Sequence, residues 1–254
     1  MRLWRASALA ALLVVVLTAR AAPHPADAGP YWLGPSYLGL GLEVASPGSY
    51  VYGTCDPPPD GGCVPPYDVQ NHRICERNPL TGGGQPSRVY RLRGGAIAAV
   101  QGAGVEVGVG RQTVVVFAHT RALAEQAAEA LRRGSEEAPV TNLPAPLYPR
   151  AVLRELKRVA MAIRRLGDVP AVARRLGMSA AAVRARKAIA LLLPRGALAA
   201  VRVPDRPWSA VRRDQRVAYY AQAIGRRAAA RRYGLRLAQV DRIVRRARGL
   251  TDRC

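Results

Sequence analysis

The chain has 254 residues, enough for one large domain or two small ones, and a formal net charge of +22. Residues 148–254 carry 27 Lys and Arg against 6 Asp and Glu, whereas residues 1–147 carry 12 against 11. This distribution excludes a uniformly basic chain and points to a polyanion-binding segment joined to a neutral globular one. Lys157 and Lys187 are the only lysines. A GC-rich genome accounts for Arg over Lys, but not for its concentration in one half.

At the amino terminus, Arg2 and Arg5 precede a weakly apolar run from Ala6 to Leu17, with only Ser7 polar, and Ala19-Arg20-Ala21 follows as a small-x-small pattern. This is the order of an export signal, residues 1–21, and cleavage is expected after Ala21. A helix over that run rises about 18 Å, short of the hydrocarbon core of about 30 Å, so a cleaved signal is expected rather than an anchor. No second span follows, because the apolar runs 188–193 and 197–201 are broken by Pro194-Arg195-Gly196. The expected destination is the cell envelope or the exterior.

Residues 30–133 read as an α+β domain. "SYVYGTC" and "PYDVQNH" alternate as half-buried strands do, and "RVYRLR", "AIAAVQ", "VEVGV" and "TVVVFA" supply four more, with "GGA" and "GAG" as turns. From Thr120 to Arg133 one amphipathic helix is expected, with Leu123, Ala127, Ala130 and Leu131 on one face and Thr120 as its cap. Strands followed by a helix imply a mainly antiparallel sheet.

Cys55, Cys63 and Cys75 lie in this half, and Cys254 ends the chain. In an oxidising compartment four cysteines read as disulfides. The short proline-rich loop favours Cys55 with Cys63, leaving Cys75 for Cys254; Cys63 with Cys75 is the alternative. The spacing C-x7-C-x8-H-x2-C, with His72, fits no common zinc knuckle. His24, His72 and His119 stand apart, and the glycine-rich "TGGGQ" and "GAGVEVGVG" lack the Lys-Ser/Thr of a phosphate loop. No catalytic set, cofactor or metal is therefore expected here. The order "VYGTC", "GGCVPP", "CERNP" and a strand-strand-helix tail resembles a group of short exported bacterial proteins without an assigned activity. That resemblance covers roughly residues 31–133 and implies export and a cysteine-stapled fold. Members of that group end soon after the helix, near "LPAP", whereas this chain continues.

Pro144, Pro146 and Pro149 place a linker at 134–149. Beyond it an all-α domain is expected. Val152, Leu156, Val159, Ile163 and Leu166 recur at steps of four and three, one face of a helix that Gly167 ends. Asp168 caps "VPAVARRL", which stops at Gly177, and Ser179 caps "AAAVRARKAIALLL". Ala173 is small where two helices cross, Gly177 admits positive φ in the turn, and Val183 points back to the core. The pattern recurs without gaps: "AVARRLGMSAAAV" at 171–183 aligns to "AAARRYGLRLAQV" at 228–240. Ala230, Gly234 and Val240 take the same places, and "PWSAVRRDQRVAYYAQAIG" supplies a first helix, with Trp208, Val211, Val217, Tyr220 and Ile224 apolar. Two trihelical units, 150–194 and 207–249, are expected.

This spacing resembles the helix-turn-helix family, most closely the three-helix form of recombinases and homeodomain-like proteins. The resemblance implies a third helix that reads base edges. In the first unit the reading positions fall on Ser179, Ala180, Ala181 and Ala185. In the second, Arg236 and Arg242 suit guanine edges. Arg174, Arg175, Arg184, Lys187, Arg231, Arg232 and Arg245 are candidates for phosphate. Arg186 stands where the family has an apolar residue; Ile243 fits that place in the second unit. The expected function is non-enzymatic binding of nucleic acid, foremost duplex DNA. The alternative is an envelope interaction module whose arginines bind anionic wall polymers, lipid head groups or a protein partner.

Overall fold

A computed structural model describes residues 29–54, 64–80, 85–136, 138–203 and 208–248. The expected signal and Cys55, Cys63 and Cys254 lie outside the described residues. The first half is α+β and the second is all-α. The strands are β1 (Tyr31–Trp32), β2 (Ser36–Tyr37), β3 (Leu40–Ser46), β4 (Ser49–Tyr52), β5 (Tyr67–Arg73), β6 (Arg88–Arg91), β7 (Ile97–Gln101), β8 (Gly104–Val109), β9 (Gln112–Ala118) and β10 (Arg132–Arg133). Eight form one sheet in the order β2-β3-β4-β5-β9-β8-β7-β6, antiparallel throughout, and β1 pairs with β10. β1, β2 and β3 are additions to the sequence reading; Gly39, Gly41 and Pro47 interrupt the alternation that reveals a strand.

Period-two alternation decides which residues each sheet face buries. Ala98, Val100, Val105, Val107, Val114 and Val116 pack in one core with Ala124, Ala127 and Ala128 of helix α1 (Arg121–Glu129). Thr120 caps α1 by accepting the Leu123 N–H at 3.3 Å. The helix stops at Glu129, not at Arg133, because Arg132 and Arg133 extend to pair with β1. On the opposite face, the Ile74–Leu80 segment covers β7, β8 and β9. Thr113 Oγ1 donates to the Arg77 carbonyl at 2.7 Å, and Gln101 Nε2 donates to the Pro79 carbonyl at 3.1 Å. The buried Glu106 carboxylate is held there by the Arg77 guanidinium at 2.9 Å. Cys75, in this covering segment, is disulfide-bonded.

The helices of the second half are α2 (Arg150–Leu166), α3 (Val169–Leu176), α4 (Ala180–Leu192), α5 (Trp208–Ala223), α6 (Arg226–Tyr233) and α7 (Leu237–Arg248). Asp168 and Ser179 cap α3 and α4 by accepting the Ala171 and Ala182 N–H groups at 2.7 and 3.1 Å. The 138–149 segment, read from its prolines as part of a linker, is instead packed against the sheet half. Leu143 and Tyr148 are buried. Val140 N–H donates to the Leu131 carbonyl at 2.8 Å, and Leu147 N–H to the Gly110 carbonyl at 2.6 Å. At Gly94, a Cβ would fall 2.3 Å from the Leu143 nitrogen, so only glycine admits this backbone crossing.

Val159, Val172, Ala173, Leu176 and Val183 form a core within the first trihelical unit, and the unit shares a second core with the sheet half. Ile74 and Ile97 cluster with Tyr148, Val152, Leu156, Ile189 and Leu193. The second unit has its own core, formed by Val217, Ala218, Ala221, Ala229, Ala230, Val240, Ile243 and Val244. Ile224, expected in that core, is exposed. Among the described residues, no helix is long and apolar enough to cross a membrane.

Candidate nucleic-acid interface

The two middle helices end alike. Gly177 has φ 60° and ψ 42°, and Gly234 has φ 60° and ψ 39°, the left-handed region. The Gly177 N–H donates to the Ala173 and Arg174 carbonyls, and the Gly234 N–H to the Ala230 and Arg231 carbonyls. The next residues repeat the match: Met178 N–H reaches the Ala173 carbonyl at 3.0 Å, and Leu235 N–H the Ala230 carbonyl at 2.9 Å. These bonds satisfy carbonyls left over at a helix end and turn the chain into the third helix. Val183 and Val240 are both fully buried. Both units therefore share one glycine turn between their second and third helices.

The third helices begin by different chemistry at matched positions. In the first unit the Ser179 hydroxyl caps α4. In the second, the Arg236 N–H donates to Gln239 Oε1 at 2.8 Å, a side chain reaching back one turn as in a capping box. Arg236 therefore sits at the entry of α7 with its guanidinium outward. Arg174, Arg175, Ser179, Arg184, Lys187, Arg231, Arg232, Arg236, Arg242 and Arg245 are all exposed.

They are not equivalent. Arg232 is stacked over the Tyr220 ring at 4.3 Å, a cation–π contact that orients it. Tyr220 also meets Tyr219 and Tyr233 with ring centroids 5.7 Å apart in each case. Sequence reasoning read Tyr220 only as core; the Tyr219-Tyr220 pair followed by arginines was the available signal. Arg226, by contrast, is engaged by Asp241 at 3.0 Å, which offsets part of its charge.

The first unit differs in what covers its third helix. Ala185, assigned to base reading, is buried and has no surface for a base. Arg186 is buried too, paired with Glu155 of α2, and donates to Gln85 at 3.4 Å and to the Ala182 carbonyl at 3.1 Å. Arg91 of β6 donates to the Leu192 carbonyl at the other end of α4. One flank of α4 thus belongs to the sheet half. In the second unit the corresponding position is Ile243, which lies in the unit's own core.

The buried Glu106 carboxylate beneath the Ile74–Leu80 segment is felt by two further titratable groups, His72 and Tyr148. Burial, then the Arg77 charge, lowers the His72 pKa below its ordinary value. Burial, reinforced by Glu106, raises the Tyr148 hydroxyl well above its ordinary value. Among the described residues, no group of three His, Cys, Asp or Glu side chains is placed to hold a metal ion. No protein-family model, curated protein or solved structure matches the chain.

Proposed function

We propose that this protein is a non-enzymatic nucleic-acid-binding protein, and that duplex DNA engages its second trihelical unit. The observation that carries this reading is the repeated glycine turn, with Arg236, Arg242 and Arg245 exposed on or beside a third helix whose buried face packs within its own unit among the described residues. Residues 207–249 hold twelve arginines against two aspartates, ample for phosphate contacts. The first unit serves chiefly as the seat that joins this binder to the sheet half, with Arg174, Arg175, Arg184 and Lys187 adding charge to its exposed side.

The experiment is duplex binding by the full chain across salt. Six or more phosphate contacts weaken affinity by roughly a thousandfold or more between roughly 50 and 200 mM salt. Replacing Arg236 and Arg242 together costs sequence preference, at about 1–3 kcal/mol for each lost base contact. If heparin competes as well as any duplex sequence and the double variant loses no preference, the duplex reading is wrong. The Cys75 disulfide favours a second reading. It fits an oxidising compartment, hence the expected export signal and an envelope role in which the arginines bind anionic polymers, lipid head groups or a protein partner. Recovery of the native protein from the cell exterior, binding wall polymer but not duplex DNA, would establish that reading instead.

A further inference from the structure

Resting on the nucleic-acid reading, we propose a second contact surface on the supporting helices of the same unit, one that takes unpaired bases of a single strand. Arg213, Arg216 and Tyr220 recur along α5 at steps of three and four, which places them on one stripe of that helix. Tyr219 flanks the stripe and is 67% exposed. It packs edge-on against Tyr220, at 83° and 5.7 Å, and most of its surface faces solvent. The Arg232 guanidinium lies over the Tyr220 ring, and Tyr233 packs against that ring at 60°.

The patch therefore combines an exposed aromatic, its orientation set by a second ring, with cations on the same surface. Arg213, Arg216 and Arg232 are exposed and have no carboxylate partner among the described residues. A duplex hides its base faces in the stack. A single strand offers both a free base face for Tyr219 and phosphates for the arginines, the pairing used by single-strand binders. A simple polyanion would satisfy the arginines and leave the ring unused.

The test uses the full chain and labelled oligothymidylate and oligouridylate of about twelve nucleotides, within the usual range of single-strand sites. Tyr219→Ala is expected to weaken oligothymidylate binding about 5- to 100-fold, the range of one base–aromatic stack, while Tyr219→Phe retains it. An abasic oligonucleotide of the same length is expected to bind the wild type about as weakly as oligothymidylate binds Tyr219→Ala. Arg216→Ala is expected to weaken base-bearing and abasic strands alike. Tighter binding of the uridylate or of the thymidylate supports the proposal either way, since the two differ only in the 2′-hydroxyl and the base C5 methyl. Equal affinity for abasic and base-bearing strands overturns it, as does binding of anionic phospholipid vesicles in place of either strand. The Arg236/Arg242 double variant keeps the two readings apart, because it alters duplex binding and leaves the single-strand contact intact. Loss of the duplex effect with retention of the Tyr219 effect overturns only the duplex reading.

Discussion

Arg186 allows the seat of the first unit to be tested by stability. It is 5% exposed, whereas the side chain of its partner Glu155 retains 18% of its accessibility. Arg186→Met removes the buried cation along with its bonds to Gln85 and the Ala182 carbonyl. The Glu155 carboxylate then stays behind with its main partner gone. Breaking a buried pair from one side costs about 3–5 kcal/mol. Glu155 keeps some contact with water, so the lower end applies, about 3 kcal/mol. At about 2–4 °C per kcal/mol for a chain of this size, the melting transition of the sheet and first unit falls by about 6–12 °C. Converting both residues, Arg186→Met with Glu155→Met, leaves no stranded charge and returns stability to within about 1 kcal/mol of the wild type. Circular dichroism melts of the full chain, with both single variants and the double variant, supply the cycle. A single-variant loss below about 1 kcal/mol, or a double variant no better than Arg186→Met, would refute the assignment of Arg186 to this seam.

Gly177→Ala and Gly234→Ala should each cost about 1 kcal/mol, equally in both units, because each glycine has positive φ with open space around its missing Cβ. Gly94→Ala should cost more than either, since its Cβ meets backbone at Leu143; equal losses at all three positions in urea titrations would contradict the crossing. Leu156→Ala, at a fully buried side chain shared by α2 and the sheet, should cost about 2–5 kcal/mol, read as a lower urea midpoint. His72 has a folded pKa below the ordinary 6.5, so its unfolded form takes up a proton first as the solution acidifies. Stability is therefore full above the ordinary value and declines as pH falls toward the folded one; His72→Gln should flatten that part of the pH–stability curve, and an unchanged slope would assign the sensitivity elsewhere.

Local chemistry was the readable part of this chain. An alanine, a glycine and a valine within eleven residues mark each turn between the second and third helices of a unit, and the pieces that make the turn are neighbours in sequence. The caps at Thr120, Asp168 and Ser179 were legible for the same reason. What escaped was long-range. Arg186 stood out as a departure from the helix-turn-helix pattern, yet its partners are Glu155, 31 positions away, and Gln85, 101 positions away. Pro144, Pro146 and Pro149 read as a linker because proline marks irregular backbone, but irregular backbone also packs. A Cβ at Gly108 would lie 3.1 Å from Pro146, so that ring lies directly on the sheet. Ala185 was assigned to base reading because it falls on a reading position that the helix-turn-helix resemblance implies. In the structure Ala185 is 4% exposed, while Arg242 at the matching place of the second unit is exposed. The Tyr219 patch was hidden by its hydrophobicity, since periodicity alone cannot distinguish a ring that faces the core from one beside it.

The arrangement of α4 against β6 also bears on solubility. An eight-stranded open sheet has two edges, and an unpaired edge can recruit a strand from another molecule. At one end β2 is only two residues long, too short to template much pairing. At the other, β6 presents a longer row of backbone groups, and α4 lies beside it with Arg91 bonded across to Leu192. A fragment ending before Arg150 would bare that row together with the apolar surface around Ile74 and Ile97. Such a fragment is expected to self-associate through its strand edge more readily than the full chain, in which α4 lies beside that edge.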